Sequence, residues 1–284
     1  MEILSHGHAI PSNSTAASPE VARLRGELAA FELGRFLLEN LGLNGHWTSY
    51  VLMHPERGRL TNVSSDGSPM TELESWLLNR CPILLATQER FRIFRALTQP
   101  LVRSGMKMAS LPCGLMDDLL TLDYAGTPGV ELTGVDLDPV TLREAEENYH
   151  RLNPAMRVIF EQRDAWHLDS PVRWDLITSN GLNIYVEDDG ECTELYRSVS
   201  RSLSANGVFI VSFITPPEEW QPRSTSDLEQ QRSLFRDVVP VKWSCVRDER
   251  KTREQLAQAG FHVETVQYDE QRMFPAVVAR KRGP

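Results

Sequence analysis

From Met106 onward, short apolar runs alternate with amphipathic stretches. The apolar runs predict seven strands, at 106–111, 130–136, 156–160, 174–179, 207–213, 261–268 and 275–281. Apolar residues at helical spacing predict helices between them, near 115–124, 139–152, 187–204 and 251–259. Such alternation predicts an α/β fold in which a mostly parallel sheet carries helices on both faces. Only Asp269-Glu270-Gln271 separates the last two strands, which is too short for a parallel crossover, so we expect a closing antiparallel hairpin.

The first hundred residues have a helical pattern instead. Residues 1–17 are polar and without period, and we expect a flexible arm. Ser18-Pro19 predicts a helix start, and the helix that follows should end near Leu41-Gly42. Thr71 and Glu74 match a capping box, with Glu74 reaching back to the cap. Another helix should run from about 83 to 97. We therefore predict a helical cap over 18–100 and a ligand-binding domain over 101–284, with an insertion at 214–250 near the pocket mouth.

Two clusters in this cap have both a structural and a functional interpretation. Trp47, Tyr50, Met53 and His54 lie within eight residues. They are typical of a helix that packs on the core, which we favour, and a lid over a ligand pocket is the alternative. The second cluster is basic and lies among apolar residues, with Arg90, Arg92 and Arg95. Most such arginines form a solvated face, but one of them, or Gln88, pointing inward would be able to clamp a carboxylate.

Composition narrows the class of partner. The chain has 284 residues and a net charge of −9, from 39 acidic and 30 basic residues. This acidity argues against nucleic acid or an anionic membrane as the main partner. The four cysteines are far apart, without a C-x-x-C pair, so we predict neither a metal site nor a disulfide framework. Without a secretory signal or an apolar run of membrane-spanning length, a cytoplasmic location is expected. The sequence leaves room for a homodimer.

The stretch from Ala109 to Asp138 carries the clearest chemistry. It predicts a strand, a sharp turn at Pro112-Cys113-Gly114, a short helix and a second strand that ends in Asp136. This order is typical of sites for an adenine nucleoside, because an acid about 20 residues after the turn accepts hydrogen bonds from the ribose hydroxyls. The turn lacks the G-x-G-x-x-G pattern of dinucleotide sites, so no pyrophosphate cradle is predicted.

Four segments in order make residues 106–281 resemble a class I S-adenosylmethionine-dependent methyltransferase. They are SLPCG, GVDLDPVTLREAEEN, RDAWHL and WDLITSNGLNIYV. The resemblance implies S-adenosylmethionine as cosubstrate, with Asp136 at the ribose and Asp164 at the adenine amino group. It places Asn180 at the carboxyl end of the fourth strand. The full set of binding residues expected from it is Pro112, Cys113, Gly114, Asp136, Leu137, Asp164, Ala165, Trp166 and Asn180.

The first loop departs from this family's pattern. An acid and several glycines are usual there, whereas this chain has Pro112 and Cys113, so the amino-acid end of the ligand needs other partners. We interpret Cys113 as a small packing residue, not as a nucleophile. Candidate catalytic residues are Asn180 and Tyr185 after the fourth strand, and Tyr50 and His54 in the cap; His54 and the two tyrosines are the candidate general bases. Core packing is the alternative for Tyr185, and a turn is the alternative for Asn180.

Three functions fit these patterns. The default is methyl transfer to a small molecule. The helical cap, the PCG loop and the SNGLNIYV segment also resemble bacterial azetidine-2-carboxylate synthases, which implies cyclisation of S-adenosylmethionine itself with release of methylthioadenosine. The third is a binding or sensor protein without catalysis.

Overall fold

The computed structural model describes residues 18–152, 156–168, 173–241 and 245–283. The predicted arm at 1–17 lies outside them. Seven strands form one sheet in the order β3-β2-β1-β4-β5-β7-β6. They are β1 (Lys107–Ser110), β2 (Glu131–Asp136), β3 (Arg157–Gln162), β4 (Trp174–Ser179), β5 (Leu203–Ser212), β6 (Phe261–Gln267) and β7 (Ala276–Lys281). The helices are α1 (Pro19–Ala29), α2 (Glu32–Asn40), α3 (Gly45–Met53), α4 (Gly58–Thr61), α5 (Glu72–Asn79), α6 (Pro82–Thr98), α7 (Asp117–Leu120), α8 (Pro139–Leu152), α9 (Asp189–Ser202), α10 (Thr225–Ser233) and α11 (Glu249–Gln258).

The sheet confirms the predicted α/β class. Strands β3, β2, β1, β4 and β5 pair in parallel, and β7 runs antiparallel between β5 and β6. The closing hairpin is therefore also confirmed. The central strands are buried on both faces, which is why they read as apolar runs in the sequence. This arrangement is the Rossmann-like fold of class I methyltransferases.

Two predicted helices have different bounds. The first is broken into α1 and α2, because the chain turns between them and packs α2 back onto α1. A side chain at Gly34 would lie 2.0 Å from the carbonyl oxygen of Leu28, so this close return requires glycine. The helix predicted near 115–124 is the single turn α7. The hydroxyls of Thr121 and Tyr124 donate to the carbonyls of Asp117 and Leu119 at 2.6 and 2.9 Å, which satisfies the backbone there without further helix.

The capping box at Thr71 is only half present. The Thr71 hydroxyl accepts a hydrogen bond from the Glu74 backbone N–H at 3.1 Å, as predicted for an N-cap. The Glu74 side chain does not reach back. Its carboxylate accepts from the hydroxyls of Tyr50 and Ser64, each at 2.9 Å. Glu74 thus ties α5 to α3 and to the loop before it.

None of the described residues of the insertion at 214–250 lines the ligand cavity, and its placement near the pocket mouth stays a prediction. The insertion packs on the N-terminal helices. The Asp227 carboxylate accepts from Trp76 Nε1 at 2.8 Å and pairs with Arg80 at 2.9 Å, and Gln231 Oε1 accepts from the Ile83 N–H at 2.7 Å. One hydrophobic cluster joins the two regions, including Leu28, Leu77, Leu228, Leu234 and Val239.

Within the described ranges, no helix combines the length and apolarity needed to cross a membrane.

Candidate functional site

A cavity of about 460 Å³ lies at the carboxyl ends of the parallel strands, beneath α3 and α6. Ligands of open α/β sheets bind at this edge, and the volume is in the range that suits a small molecule. Around it the structure brings together ten of the residues predicted from the sequence: Pro112, Cys113, Gly114, Asp136, Leu137, Asp164, Ala165, Trp166, Asn180 and Tyr185.

The turn after β1 is fixed by backbone hydrogen bonds. The Cys113 N–H donates to the Val135 carbonyl at 2.8 Å, and the Gly114 N–H donates to the Asp136 carboxylate at 3.2 Å. Gly114 has a φ of +49°, in the left-handed region that favours glycine. A side chain at Gly45, the first residue of α3, would lie 3.2 Å from the Gly114 Cα. The cap therefore contacts this turn directly, through the close approach of Gly45 to Gly114.

Asp136 is held in place at the end of β2. Besides Gly114, it accepts from the Asp138 backbone N–H at 3.1 Å. Burial raises the pKa of Asp136, and the backbone hydrogen bonds partly oppose that shift. Its two oxygens retain acceptor capacity for a ligand's hydroxyl groups. The next residue, Leu137, is 65% exposed and presents an apolar surface beside the acid.

Asp164 follows β3 at the neighbouring strand end. It accepts from the Trp166 backbone N–H and contacts His167 Nδ1, both at 3.0 Å. The Trp166 hydrogen bond, followed by His167, lowers the pKa of Asp164, so this exposed carboxylate is ionised at neutral pH. The Trp166 indole N–H donates to the Glu191 carbonyl at 3.0 Å, which fixes the ring at the cavity edge.

The thiol of Cys113 is buried and donates to the Gly114 carbonyl at 3.3 Å. Burial raises the pKa of Cys113, so the reactive thiolate is disfavoured. A side chain at Gly134 would lie 3.2 Å from this sulfur and 2.8 Å from the Phe160 ring. These contacts agree with the packing interpretation.

The structure places Tyr50 and His54 outside the cavity lining, contrary to their selection as candidate bases. Their side chains serve the packing of the cap. The Tyr50 hydroxyl donates to Glu74, and His54 Nε2 lies 3.0 Å from Asn79 Oδ1. Burial, and then the charge of Glu74, raise the pKa of Tyr50, whereas burial lowers the pKa of His54. Of the two interpretations of this segment, the contacts of these two side chains favour the packing helix, although other residues of α3 do line the cavity.

Asn180 and Tyr185 both line the cavity after β4. The amide oxygen of Asn180 is buried and has no hydrogen-bond partner among the described residues. Burial raises the pKa of Tyr185, and the charge of Arg90 opposes that shift. Tyr185 is therefore a neutral phenol at the cavity wall, 45% exposed, and suits hydrogen bonding better than proton abstraction.

Asp118 is a cavity residue that the sequence analysis missed. Its carboxylate is buried and accepts from the hydroxyls of Ser110 at 3.1 Å and Thr178 at 2.6 Å. Burial raises its pKa to about 6, with the two hydroxyls opposing that shift. The Asp117-Asp118 pair in the sequence resembles the acids common in first helical turns, and that preference conceals its position in the site.

The structure also selects one arginine from the basic cluster on α6. Arg90 is buried and lines the cavity, whereas Arg92 and Arg95 pair with Glu89 and Glu56 away from it. Gln88, the other candidate, donates to the Leu78 carbonyl at 2.9 Å. No group of three or more histidine, cysteine or acidic side chains suited to a metal ion occurs in the part of the chain that the structure describes.

Comparisons with known proteins agree with this geometry. A family profile described as a methyltransferase domain matches residues 103–260, more than half of the chain. No curated protein sequence matches this chain. The fold is similar to that of a possible exported protein from Bordetella parapertussis, with 37% identity over 93% of this chain and 87% of that one and a TM-score of 0.84.

Two more distant structures share the fold alone. The [4+2]-cyclase SpnF is 15% identical over 83% of this chain and 94% of its own, with a TM-score of 0.54. The second structure concerns the conversion of a disulfide bond into a thioacetal group during echinomycin biosynthesis. Its protein is 19% identical over 67% of this chain and 81% of its own, with a TM-score of 0.52. From the family profile and the sheet order together, the chain belongs to the methyltransferase-domain family, within the class I S-adenosylmethionine-dependent superfamily.

Proposed function

We propose that the cavity binds S-adenosylmethionine and that the protein transfers the methyl group from its sulfonium to a small molecule. The observation that carries this proposal is the Asp136–Gly114 hydrogen bond, which joins the acid at the end of β2 to the turn after β1. This pair forms a ribose-binding acid beside a backbone that a ligand can approach closely.

The lining suggests an orientation for the ligand. Asp136 would accept from the ribose hydroxyls, and Leu137 would cover one face of the adenine. Asp164, ionised at the next strand end, would accept from the adenine amino group. The methionine portion would then extend toward the ends of β1 and β4, where Ser110, Asp118 and Asn180 lie.

The sulfonium is already a good leaving group, so the protein's work is mainly to align the nucleophile and exclude water. The apolar wall of the cavity includes Leu52 of α3, Phe91 of α6 and Ile184, which follows β4. Among the described residues of the lining, none is a histidine. Asp118 is a buried lining carboxylate whose pKa is raised to about 6 by burial, and it is the general base we propose for an acceptor that loses a proton.

Cyclisation of S-adenosylmethionine to azetidine-2-carboxylate is the second candidate. The observation that favours it is the modest volume of the site. Helices α3 and α6 cover the strand ends, and the volume of about 460 Å³ is toward the lower end of the range for small-molecule sites. A bound S-adenosylmethionine would leave little room for a separate acceptor, and its own amine would be the nucleophile that attacks Cγ.

Product analysis separates the candidates. Purified protein is first titrated with S-adenosylhomocysteine by calorimetry, and absence of binding would refute both. It is then incubated with S-adenosylmethionine alone. Methylthioadenosine with a four-carbon cyclic amino acid would establish cyclisation. S-adenosylhomocysteine formed only when a small-molecule acceptor is added would establish methyl transfer, and binding of S-adenosylmethionine without its turnover would refute cyclisation and leave methyl transfer and sensing as the candidates.

A further inference from the structure

Arg90 is a buried cation that forms no ion pair with any described residue, although the charge of nearby Asp269 opposes the lowering of its pKa by burial. Its side chain is 5% exposed, and its Nη1 donates to the Ser212 hydroxyl at a long 3.4 Å. Among the described residues, its Nε has no hydrogen-bond partner, and no carboxylate lies within ion-pair distance of its guanidinium. The nearby Asp269 is occupied by the backbone N–H groups of Gln271 and Phe274, at 3.0 and 2.6 Å. Burying an unpaired charge is costly, so such a group calls for an anionic partner.

The guanidinium is held in place from two sides. It lies 4.4 Å from the centre of the Phe274 ring, a cation–π contact. On another side is Gly181, whose φ of +102° favours glycine and where a side chain would lie 3.2 Å from Arg90 Nη1. The cavity wall is therefore shaped around this arginine, and contacts within the protein fix the position of its guanidinium.

A buried acceptor without a donor lies beside this donor. Asn180 directly precedes Gly181, and its amide oxygen has no hydrogen-bond partner in the part of the chain that the structure describes. The parallel register pairs Ser179 with Val211, which brings the following residue, Asn180, next to the Arg90 partner Ser212. A cationic donor and a neutral acceptor side by side fit a ligand that carries both a carboxylate and an ammonium group.

The turn after β1 offers little to such a head group. Pro112 has no N–H, and the N–H groups of Cys113 and Gly114 are already bound to Val135 and Asp136. The carboxylate must therefore find its donors elsewhere, and the buried guanidinium of Arg90 provides them in the same cavity.

We propose that Arg90 binds the carboxylate of the methionine portion of S-adenosylmethionine, with the Asn180 amide oxygen accepting from its ammonium group. This inference rests on the proposed function. The ends of β2 and β4 are two strand spacings apart, about 10 Å. The seven bonds from the ribose to the carboxylate span about 9 Å at ordinary bond lengths. A ligand whose ribose is at Asp136 thus reaches the Arg90 side of the cavity.

The test compares two ligands that differ in this head group. S-adenosylhomocysteine has the amino-acid portion, and methylthioadenosine lacks it. Calorimetry should show that Arg90→Met weakens S-adenosylhomocysteine binding by about 30-fold or more, as for loss of one partner of a buried charge pair. Binding of methylthioadenosine should stay within about threefold, since it makes no contact with Arg90. The matched control is Arg92→Met, on the exposed face of the same helix, which should leave both affinities unchanged.

A ligand-side arm keeps the inference testable if Arg90→Met does not fold. Decarboxylated S-adenosylhomocysteine should bind the unmodified protein about 30-fold or more weaker than the parent compound. Equal affinity for the two compounds, or equal loss of both ligands in Arg90→Met, would overturn the assignment. If the unmodified protein binds S-adenosylhomocysteine while Arg90→Met retains full affinity, this inference fails and the proposed function stands. If the unmodified protein binds none of the ligands, the proposed function itself fails.

Discussion

Replacing Asp136 with alanine tests two roles of its carboxylate, the observed support of the turn after β1 and the proposed binding of the ribose. It accepts the backbone N–H groups of Gly114 and Asp138 at 3.2 and 3.1 Å. Losing these two acceptors costs about 1–3 kcal/mol of folding free energy at ordinary values. Relief of a carboxylate whose pKa is raised by burial offsets part of this cost. We expect a net destabilisation of about 1 kcal/mol. The proposed bonds to the ribose hydroxyls add a loss of binding energy of about 1–3 kcal/mol, or about 5- to 150-fold in affinity.

Calorimetry with S-adenosylhomocysteine measures the affinity, and thermal unfolding without ligand measures the stability. Asp248→Ala is the control, since Asp248 caps α11 through the Lys251 N–H at 2.6 Å and is outside the cavity lining. It should lower stability by about 1 kcal/mol and leave affinity unchanged. Undiminished affinity in Asp136→Ala would remove this residue from the ribose role. Equal loss of affinity in Asp248→Ala would show that the effect comes from general destabilisation.

Three further changes test other parts of the structure. Burial raises the folded-state pKa of Asp118 from 3.8 to about 6. As pH rises from 4 through 6, ionisation of this group should therefore lower the free energy of unfolding by about 3 kcal/mol. Urea unfolding across this range should show a correspondingly flatter profile for Asp118→Asn, and an unchanged profile would contradict the burial of a charge. In Gly45→Ala the new Cβ would lie 2.7 Å from Thr141 Cγ2, so α3 must move away from the turn after β1. Calorimetry should then show an affinity for S-adenosylhomocysteine that is lower by about tenfold. The control Gly26→Ala, on an open helix face, should instead raise stability by about 0.5–1 kcal/mol with unchanged affinity, and equal affinity in both variants would refute the contact. Asp227→Ala leaves the buried Trp76 N–H without its acceptor, so thermal unfolding should show a loss of about 1–3 kcal/mol, and an unchanged melting temperature would contradict this role.

The sheet was predictable from sequence because its central strands are buried on both faces, which leaves a continuous apolar run. Its edges and helix ends depend on contacts between distant residues. The return of α2 onto α1 depends on the space at Gly34, and the shortness of α7 depends on hydroxyls that take over its carbonyls. Neither contact leaves a periodic pattern in the sequence.

The residues around the cavity also divide into those that could be predicted from the sequence and those that could not. Gly114, Asp136 and Asp164 follow strands, so the parallel order of the sheet places them at one edge. Cap residues have no such guide. His54 and Tyr50 have chemistry suited to catalysis, yet their partners Asn79 and Glu74 are more than 20 residues away in sequence. Arg90 and Arg92 differ only in the face of α6 on which they lie. Which face is buried depends on how the neighbouring helices pack, and that packing could not be predicted from the sequence pattern.

The hydrophobic cluster shared by the N-terminal helices and the insertion has a consequence for dissecting the chain. The matched region 103–260 leaves out the N-terminal helices that pack on the insertion, and it also leaves out both β6 and β7, of which β7 pairs with β5. A fragment with those bounds would expose Leu228, Leu234 and Val239 and leave β5 as an unprotected sheet edge, a combination that promotes aggregation. Because the shared cluster is built from both regions, we expect the N-terminal helices and the sheet domain to unfold together, and a change to one face of the cluster to require a matching change to the other.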